Sequence, residues 1–271
     1  MTISKTEKIF NYAFLTLLAA STLFPVAWIL GVALSPSTTG TLDLGHPQWS
    51  NFVNAWEQAG FTRYLTSSLI ITSSVVGLST VLAVMSGYAF GVLGVVGEKM
   101  LFPLILLGIM IPMESIVVPL YYDFLSFHLT DTYQGIILAH VGMSVSFGAF
   151  WMRAAFRTVP ASIAESAEMD GANSWTRLWR IYLPISKPAI MTLVLLSFMW
   201  TWNDYFLSLI LVSDPAHQPL TLGLGAFSGR YLVKVNLLAA AALLISLPIV
   251  GLYLFFQRQF IRGMLSGALK G

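Results

Sequence analysis

Six stretches of this chain are apolar over a length that matches a lipid bilayer, and polar residues gather between them. The runs lie at about Phe10–Leu34, Leu65–Leu93, Met100–Tyr122, Tyr133–Met152, Ala189–Val212 and Leu237–Phe256. A helix rises 1.5 Å per residue, so about 20 apolar residues cross a hydrocarbon core of about 30 Å. The pattern predicts an all-α membrane protein of six transmembrane helices, forming a single transmembrane domain over residues 1–271. Lys5 and Lys8 precede the first run as they would in a signal peptide. That run is longer than the roughly 7–15 residues of a signal core, so a retained span is expected.

The cationic residues fall unevenly across this layout. With the N-terminus inside, the inner set is Lys5, Lys8, Lys99, Arg153, Arg157, Arg177, Arg180, Lys187, Arg258, Arg262 and Lys270, against Arg63, Arg230 and Lys234 outside. Inverting the topology would reverse the bias, so both termini are expected to be cytoplasmic. Two outer segments, Ser35–Tyr64 and Ser213–Asn236, are rich in Ser, Thr, Gly, Pro and Trp. They suit either the membrane surface or an extracytoplasmic partner.

Composition narrows the chemistry. Of 271 residues, 56% are hydrophobic and 10% charged, where ordinary soluble domains carry about 25% charged residues. A net charge of +2 gives no basic surface for nucleic acid. The chain has no Cys, which excludes disulfides, Cys-ligated metals and thiol catalysis. His46, His128, His140 and His217 show no spacing suited to a shared metal, and no Gly-x-Ser-x-Gly or His-Glu-x-x-His occurs. No catalytic residue and no metal site are expected. The segment Gly91–Lys99 comes nearest to a phosphate loop, but Glu98 separates Gly97 from Lys99 and Met100 stands where a hydroxyl residue is needed. It reads as a turn, so no cofactor is expected in this chain.

The inner segment 153–188 is polar and rich in helix formers. Ser162 and Glu165 have the spacing of a capping box after Pro160, predicting a helix to about Met169. Asp170-Gly171 supplies a break, since Gly tolerates positive φ. Ser174 is placed to cap a second helix, Trp175 to Tyr182, ended by Pro184. Small residues at Ala164, Ala167 and Ala172 would let a partner approach closely. An amphipathic loop lying on the membrane would show a similar composition without needing the spacing.

The spacing carries a resemblance. Glu165-Ser166-Ala167, then Gly171 after three residues, then Ile181-x-Leu183-Pro184 after nine, resembles the EAA motif of ABC importer permeases, with Ser166 where Ala is usual. Trp202-Asn203-Asp204 and the final Gly267-Ala268-Leu269-Lys270-Gly271 are similar to the maltose-type carbohydrate subfamily. The resemblance implies a type I ABC importer permease fold with a cytoplasmic coupling helix, in a prokaryotic inner membrane. It implies a non-catalytic subunit that pairs with a second permease subunit as a heterodimer, amid membrane lipid. Two ATPase subunits would hold ATP and Mg²⁺ inside, and a solute-binding protein would deliver a sugar or oligosaccharide outside, for import by alternating access. Glu165, Ala167, Asp170, Gly171, Ala172, Ile181, Leu183 and Pro184 would then couple the chain to the ATPase.

Polar groups inside the spans add a second candidate region. A carboxylate in a span costs about 2.5–3.5 kcal/mol on insertion scales, so it normally faces a cavity or a partner group. Straight helices would put Glu114 about 21 Å and Asp204 about 22 Å from the inner face, and His140 about 10 Å below the outer face. One polar chamber along a substrate path is therefore expected, with Trp202 offering an aromatic face and Asn203 and Asp204 hydroxyl-binding groups. Interhelical packing within an aromatic belt would use the same residues. An ion-coupled secondary carrier could use Glu114 and Asp204 as coupling carboxylates, but it would give the spaced loop no purpose.

Overall fold

The computed structural model describes the fold over residues 4–227 and 233–268, and side chains within 4–227 and 233–257. Arg230 and the Lys and Arg residues beyond 257 lie outside those side chains, as does the 267–271 tail. The chain divides into two compact units, one drawn from residues 1–62 and 223–247, the other from 63–222 and 248–271.

In the first unit, α1 (Lys5–Leu34) is apolar and lipid-ready, its long side chains exposed from Ile9 to Leu30. Its last carbonyls are the ones a helix leaves without internal donors. Asn51, at 3% exposure, supplies donors: its Nδ2 reaches the carbonyls of Ala33 and Ser35, each at 2.9 Å. Asn51 lies on α2 (Ser50–Ala59), which closes at Gly60 with φ +65°. Val235 N–H donates to Thr38 O at 2.9 Å. The 35–60 segment is thus folded back on the end of α1 rather than trailing from it.

The second unit holds α3 (Phe61–Tyr88), which runs into a π turn at Ala89–Leu93, then α4 (Glu98–Met110), α5 (Met113–Ser126) and α6 (Tyr133–Phe156). After it come α7 (Ala161–Met169), α8 (Ser174–Arg177), a π turn at Leu178–Tyr182 and α9 (Leu183–Ile185), followed by α10 (Lys187–Trp202) and α11 (Phe206–Leu211). A 3₁₀ turn at Leu222–Phe227 precedes α12 (Val235–Ala268), which belongs to the first unit as far as Leu247 and to the second from Pro248. α3 and α6 pack through small residues: an added Cβ on Gly148 would stand 2.6 Å from Ala83 Cβ, and one on Gly87 2.8 Å from the Met152 carbonyl carbon.

Four helical stretches are long and apolar enough to cross a membrane: Lys5–Leu34, Phe61–Leu93, Tyr133–Phe156 and Val235–Gln257. They match the first, second, fourth and sixth expected spans. The third is not one straight helix. α4 and α5 meet at 98°, because Pro112 has no N–H and forces Ile111 into an extended conformation, φ −83° and ψ 120°. Pro103 and Pro119 lie within helices without breaking them. The fifth expected span, Ala189–Val212, is also divided: α10 ends at Trp202 and α11 starts at Phe206. Ahead of that span, the 174–185 helical segment meets α10 at 77°.

Candidate functional site

The 153–188 segment folds into a corner of two short helices. Pro160 opens α7 as its N-cap residue, so no side chain caps it and the Ser162–Glu165 box does not form. Ser162 lies one position inside the helix, where its carbonyl accepts a bond from Ser166 Oγ at 2.7 Å. The C-terminus is a Schellman motif: Ala172 N–H reaches Ala167 O at 2.9 Å and Gly171 N–H reaches Glu168 O at 3.0 Å. Gly171 takes φ +81°, the left-handed geometry its position predicts.

The second helix differs from expectation in two respects. Asn173, rather than Ser174, caps it, its Oδ1 accepting from Thr176 N–H at 2.8 Å. Pro184 does not end it. The helix widens into the π turn, where Leu183 N–H reaches Leu178 O, and Pro184 then sits at the start of α9, where a missing N–H is tolerated. Arg177 Nη1 lies 3.1 Å from Glu168 Oε2 and ties the two helices together.

One face of this corner is buried. Val159, Ala164, Leu178 and Tyr182 join a core with Ala83, Val84, Tyr88, Met152, Phe156 and Leu193 from α3, α6 and α10. The Tyr88 hydroxyl donates to Ser174 O at 2.8 Å. Burial raises the Tyr182 phenol above its ordinary pKa, so it stays a neutral packing group. The opposite face is open. Glu165, Asp170, Gly171 and Pro184 are exposed, while Ala167, Ala172, Ile181 and Leu183 are half-buried at its edge. Met169 is 89% exposed, and Trp175 and Trp179 form an exposed edge-on pair. The corner is a ledge fixed to the helices on one side and exposed on the other. Sequence reasoning missed Tyr88 and the Glu168–Arg177 tie, since nothing local marks either one.

The second region centres on Asp204, between α10 and α11. Its carboxylate accepts from Leu207 N–H at 3.3 Å, Ser208 N–H at 2.9 Å and Ser208 Oγ at 2.6 Å, capping α11. Its carbonyl accepts from Thr221 Oγ1 at 2.5 Å. His140 Nε2, from α6, lies 3.5 Å from Asp204 Oδ2, with both side chains about one-tenth exposed. Two of the three expected polar groups therefore meet.

Glu114 lies exposed in the first turn of α5, and among the described residues no ion pair links it to His140. The depth that set it level with them assumes a straight third helix, which the 98° corner removes. Asn203 is exposed, its Nδ2 donating to Met199 O at 2.8 Å. Trp202 is 1% exposed and stacks on Phe198 at 5.3 Å between centroids, so its ring faces protein. Asp204→Ala would leave the α11 donors unmet, which costs about 1–3 kcal/mol for a buried polar group. The expected result is a lower melting temperature in detergent; an unchanged one would remove Asp204 from the capping role.

Comparison with known proteins places this geometry in a family. Residues 79–266 match the family model described as binding-protein-dependent transport system inner membrane component. The chain is 30% identical over 261 residues to the trehalose transport system permease protein SugB of Mycobacterium tuberculosis, covering 94% of this chain and 95% of that one. It is 28% identical over 269 residues to the maltodextrin transport system permease protein MdxG of Bacillus subtilis, covering 98% and 97%. Its fold is similar to a chain in the crystal structure of a bacterial ABC transporter that imports the acidic polysaccharide alginate. That match has a TM-score of 0.79 at 23% identity, over 96% of this chain and 99% of the other. A match over 188 of 271 residues, together with a relative aligned nearly end to end, establishes that this chain belongs to the family of binding-protein-dependent transport system inner membrane components.

Proposed function

We propose that this chain is a transmembrane subunit of an ATP-driven importer that carries a sugar or oligosaccharide inward by alternating access. The observation that carries the proposal is the ledge at 161–185: one face fused to the helix bundle, the other open, with the corner set by the positive φ of Gly171. Such a ledge suits a cleft in an ATPase, whose closure would then move the helices. Similarity to trehalose and maltodextrin transport permeases supports a carbohydrate solute.

In this reading the chain is one permease domain with six spans, the bent third and fifth included, and both termini in the cytoplasm. It pairs with a second permease subunit and two ATPase subunits, which hold ATP and Mg²⁺; this chain performs no chemistry on the solute and needs no cofactor. A solute-binding protein docks outside. One solved relative of similar fold, with a TM-score of 0.65 at 18% identity, is an alginate transporter in complex with a pentasaccharide-bound periplasmic protein, which supports that arrangement.

The solute path runs beside His140, Asn203 and Asp204, with Trp202 backing it and Glu114 as a separate polar group nearer the α4–α5 corner. The ion-coupled carrier loses its basis, because family membership assigns the chain to binding-protein-dependent transport. Purifying the tagged protein in mild detergent tests the proposal: an ATPase and a second multi-span protein should copurify. Recovery of the chain alone, with proton-driven sugar uptake, would overturn it.

A further inference from the structure

The glycine-rich turn that fails as a phosphate loop has another use. Gly94 and Gly97 take φ of +63° and +83°, which lets the chain reverse tightly between α3 and α4. Gly91 lies against α6, where an added Cβ would stand 3.2 Å from Arg153 O. The reversal delivers Glu98, first residue of α4, to two arginines near the end of α6. Glu98 Oε1 accepts from Arg153 Nη2 at 2.5 Å and from Arg157 Nη2 at 2.9 Å. Arg153 Nε also donates to Phe90 O at 3.0 Å, in the π turn that ends α3, and its guanidinium lies 4.0 Å from the Phe102 ring centroid on α4. One guanidinium thus joins α3, α4 and α6.

Its position in the chain matters. Arg157 is followed by Thr158, Val159 and Pro160, and then by the first helix of the ledge. At the other end of α4 stands the Ile111–Pro112 corner. A surface ion pair by itself contributes little. Here, however, Arg153 and Glu98 are each 21% exposed, and the pair is one part of a packed junction.

We propose that Glu98, Arg153 and Arg157 are positioning residues that pass movement of the docked ledge into α3 and α4, so that ATP use and solute passage stay in step. Packed and charged contacts between rigid elements are one route by which coupling travels, and the junction joins three helices beside the ledge in this way. The inference rests on reading the ledge as the ATPase docking element.

The test uses the assembled importer in vesicles, with solute imported and ATP hydrolysed measured in the same sample. A cysteine at Met169, in this Cys-free chain, reports contact with the ATPase by crosslinking. Glu98→Gln should keep the crosslink and hold ATP hydrolysis within twofold, while solute imported per ATP falls about fivefold or more, the lower range of typical coupling energies. Glu98→Asp should recover part of the ratio, and Arg157→Gln, altering a half-exposed arginine, should lower it less. A role in folding alone would reduce assembly, hydrolysis and uptake together and leave the ratio unchanged. An unchanged ratio, or failure of both Gln variants to assemble, overturns the proposal. Absence of the crosslink in the otherwise unsubstituted protein refutes the docking reading instead.

Discussion

Gly171→Val is expected to abolish solute-stimulated ATP hydrolysis and uptake while leaving the helices inserted. Gly171 sits at φ +81°, with no heavy atom within 4 Å of where a Cβ would stand. The penalty is therefore conformational rather than steric. A left-handed backbone costs an L-residue about 1–2 kcal/mol, and β-branching makes Val a poor occupant of that region. The relief open to the chain is to undo the Schellman motif, releasing the bonds from Gly171 N–H and Ala172 N–H and turning α7 away from α8. The open face would no longer match a rigid cleft. Glu165→Lys reaches the same end by charge: Glu165 is exposed and caps nothing, so its loss should weaken ATPase binding without altering the fold of the ledge. The measurement is a pull-down of the ATPase run beside transport. Normal binding together with normal uptake in Gly171→Val would reject the coupling assignment.

Gly87→Leu is expected to be the most damaging single change to the bundle. A Cβ on Gly87 would stand 2.5 Å from Met152 Cβ and 2.9 Å from Arg153 N. Backbone cannot retreat as a flexible side-chain end can, so α3 and α6 must separate. Overpacking costs about 1–3 kcal/mol per site, and separation also opens the core around Tyr88, Met152 and Phe156, two of which are at most 1% exposed. Gly87→Ala should lower the melting temperature in detergent, and Gly87→Leu should leave little folded protein. Gly77→Leu, a change elsewhere on α3 with open space around it, serves as the control. Equal stability of Gly87→Leu and Gly77→Leu would contradict the close approach.

Ala83, Gly87 and Gly91 recur every four residues, the small-xxx-small spacing by which membrane helices approach one another. That signal was available in the sequence, and it marks the face of α3 that meets α6. The loop was also largely legible, because Gly171, the helix breaks and the motif spacing are local features. The caps were less so: Ser162, Asn173 and Ser174 are all competent caps, and Pro160 decided which positions lay inside a helix. The right-angled corner at Pro112 is not legible in the sequence, since proline marks where a helix is weakened without giving the angle. His140 and Asp204 were brought together correctly by depth counting along helices that start where expected. The same method does not carry to Glu114, because counting past a right-angled bend measures distance along the wrong axis. Glu98 registers in the sequence only as an interruption of the glycine-rich turn, as its partners lie 55 and 59 residues away.

The interruption after α10 bears on how well the membrane stays sealed. Backbone amides and carbonyls released inside a hydrocarbon layer must find donors and acceptors, and where protein supplies none, water enters to do so. A file of such water would conduct protons and discharge the gradient on which a cell depends. At 203–208 the protein supplies them: Asp204 serves the amides of Leu207 and Ser208, Thr221 serves the Asp204 carbonyl, and Asn203 N–H returns to Met199 O. Ser208 and Thr221 are 1% and 7% exposed. These bonds leave water less to satisfy at the interruption, and a variant stripped of the Asp204 carboxylate should be sought among those that collapse the proton gradient of sealed vesicles.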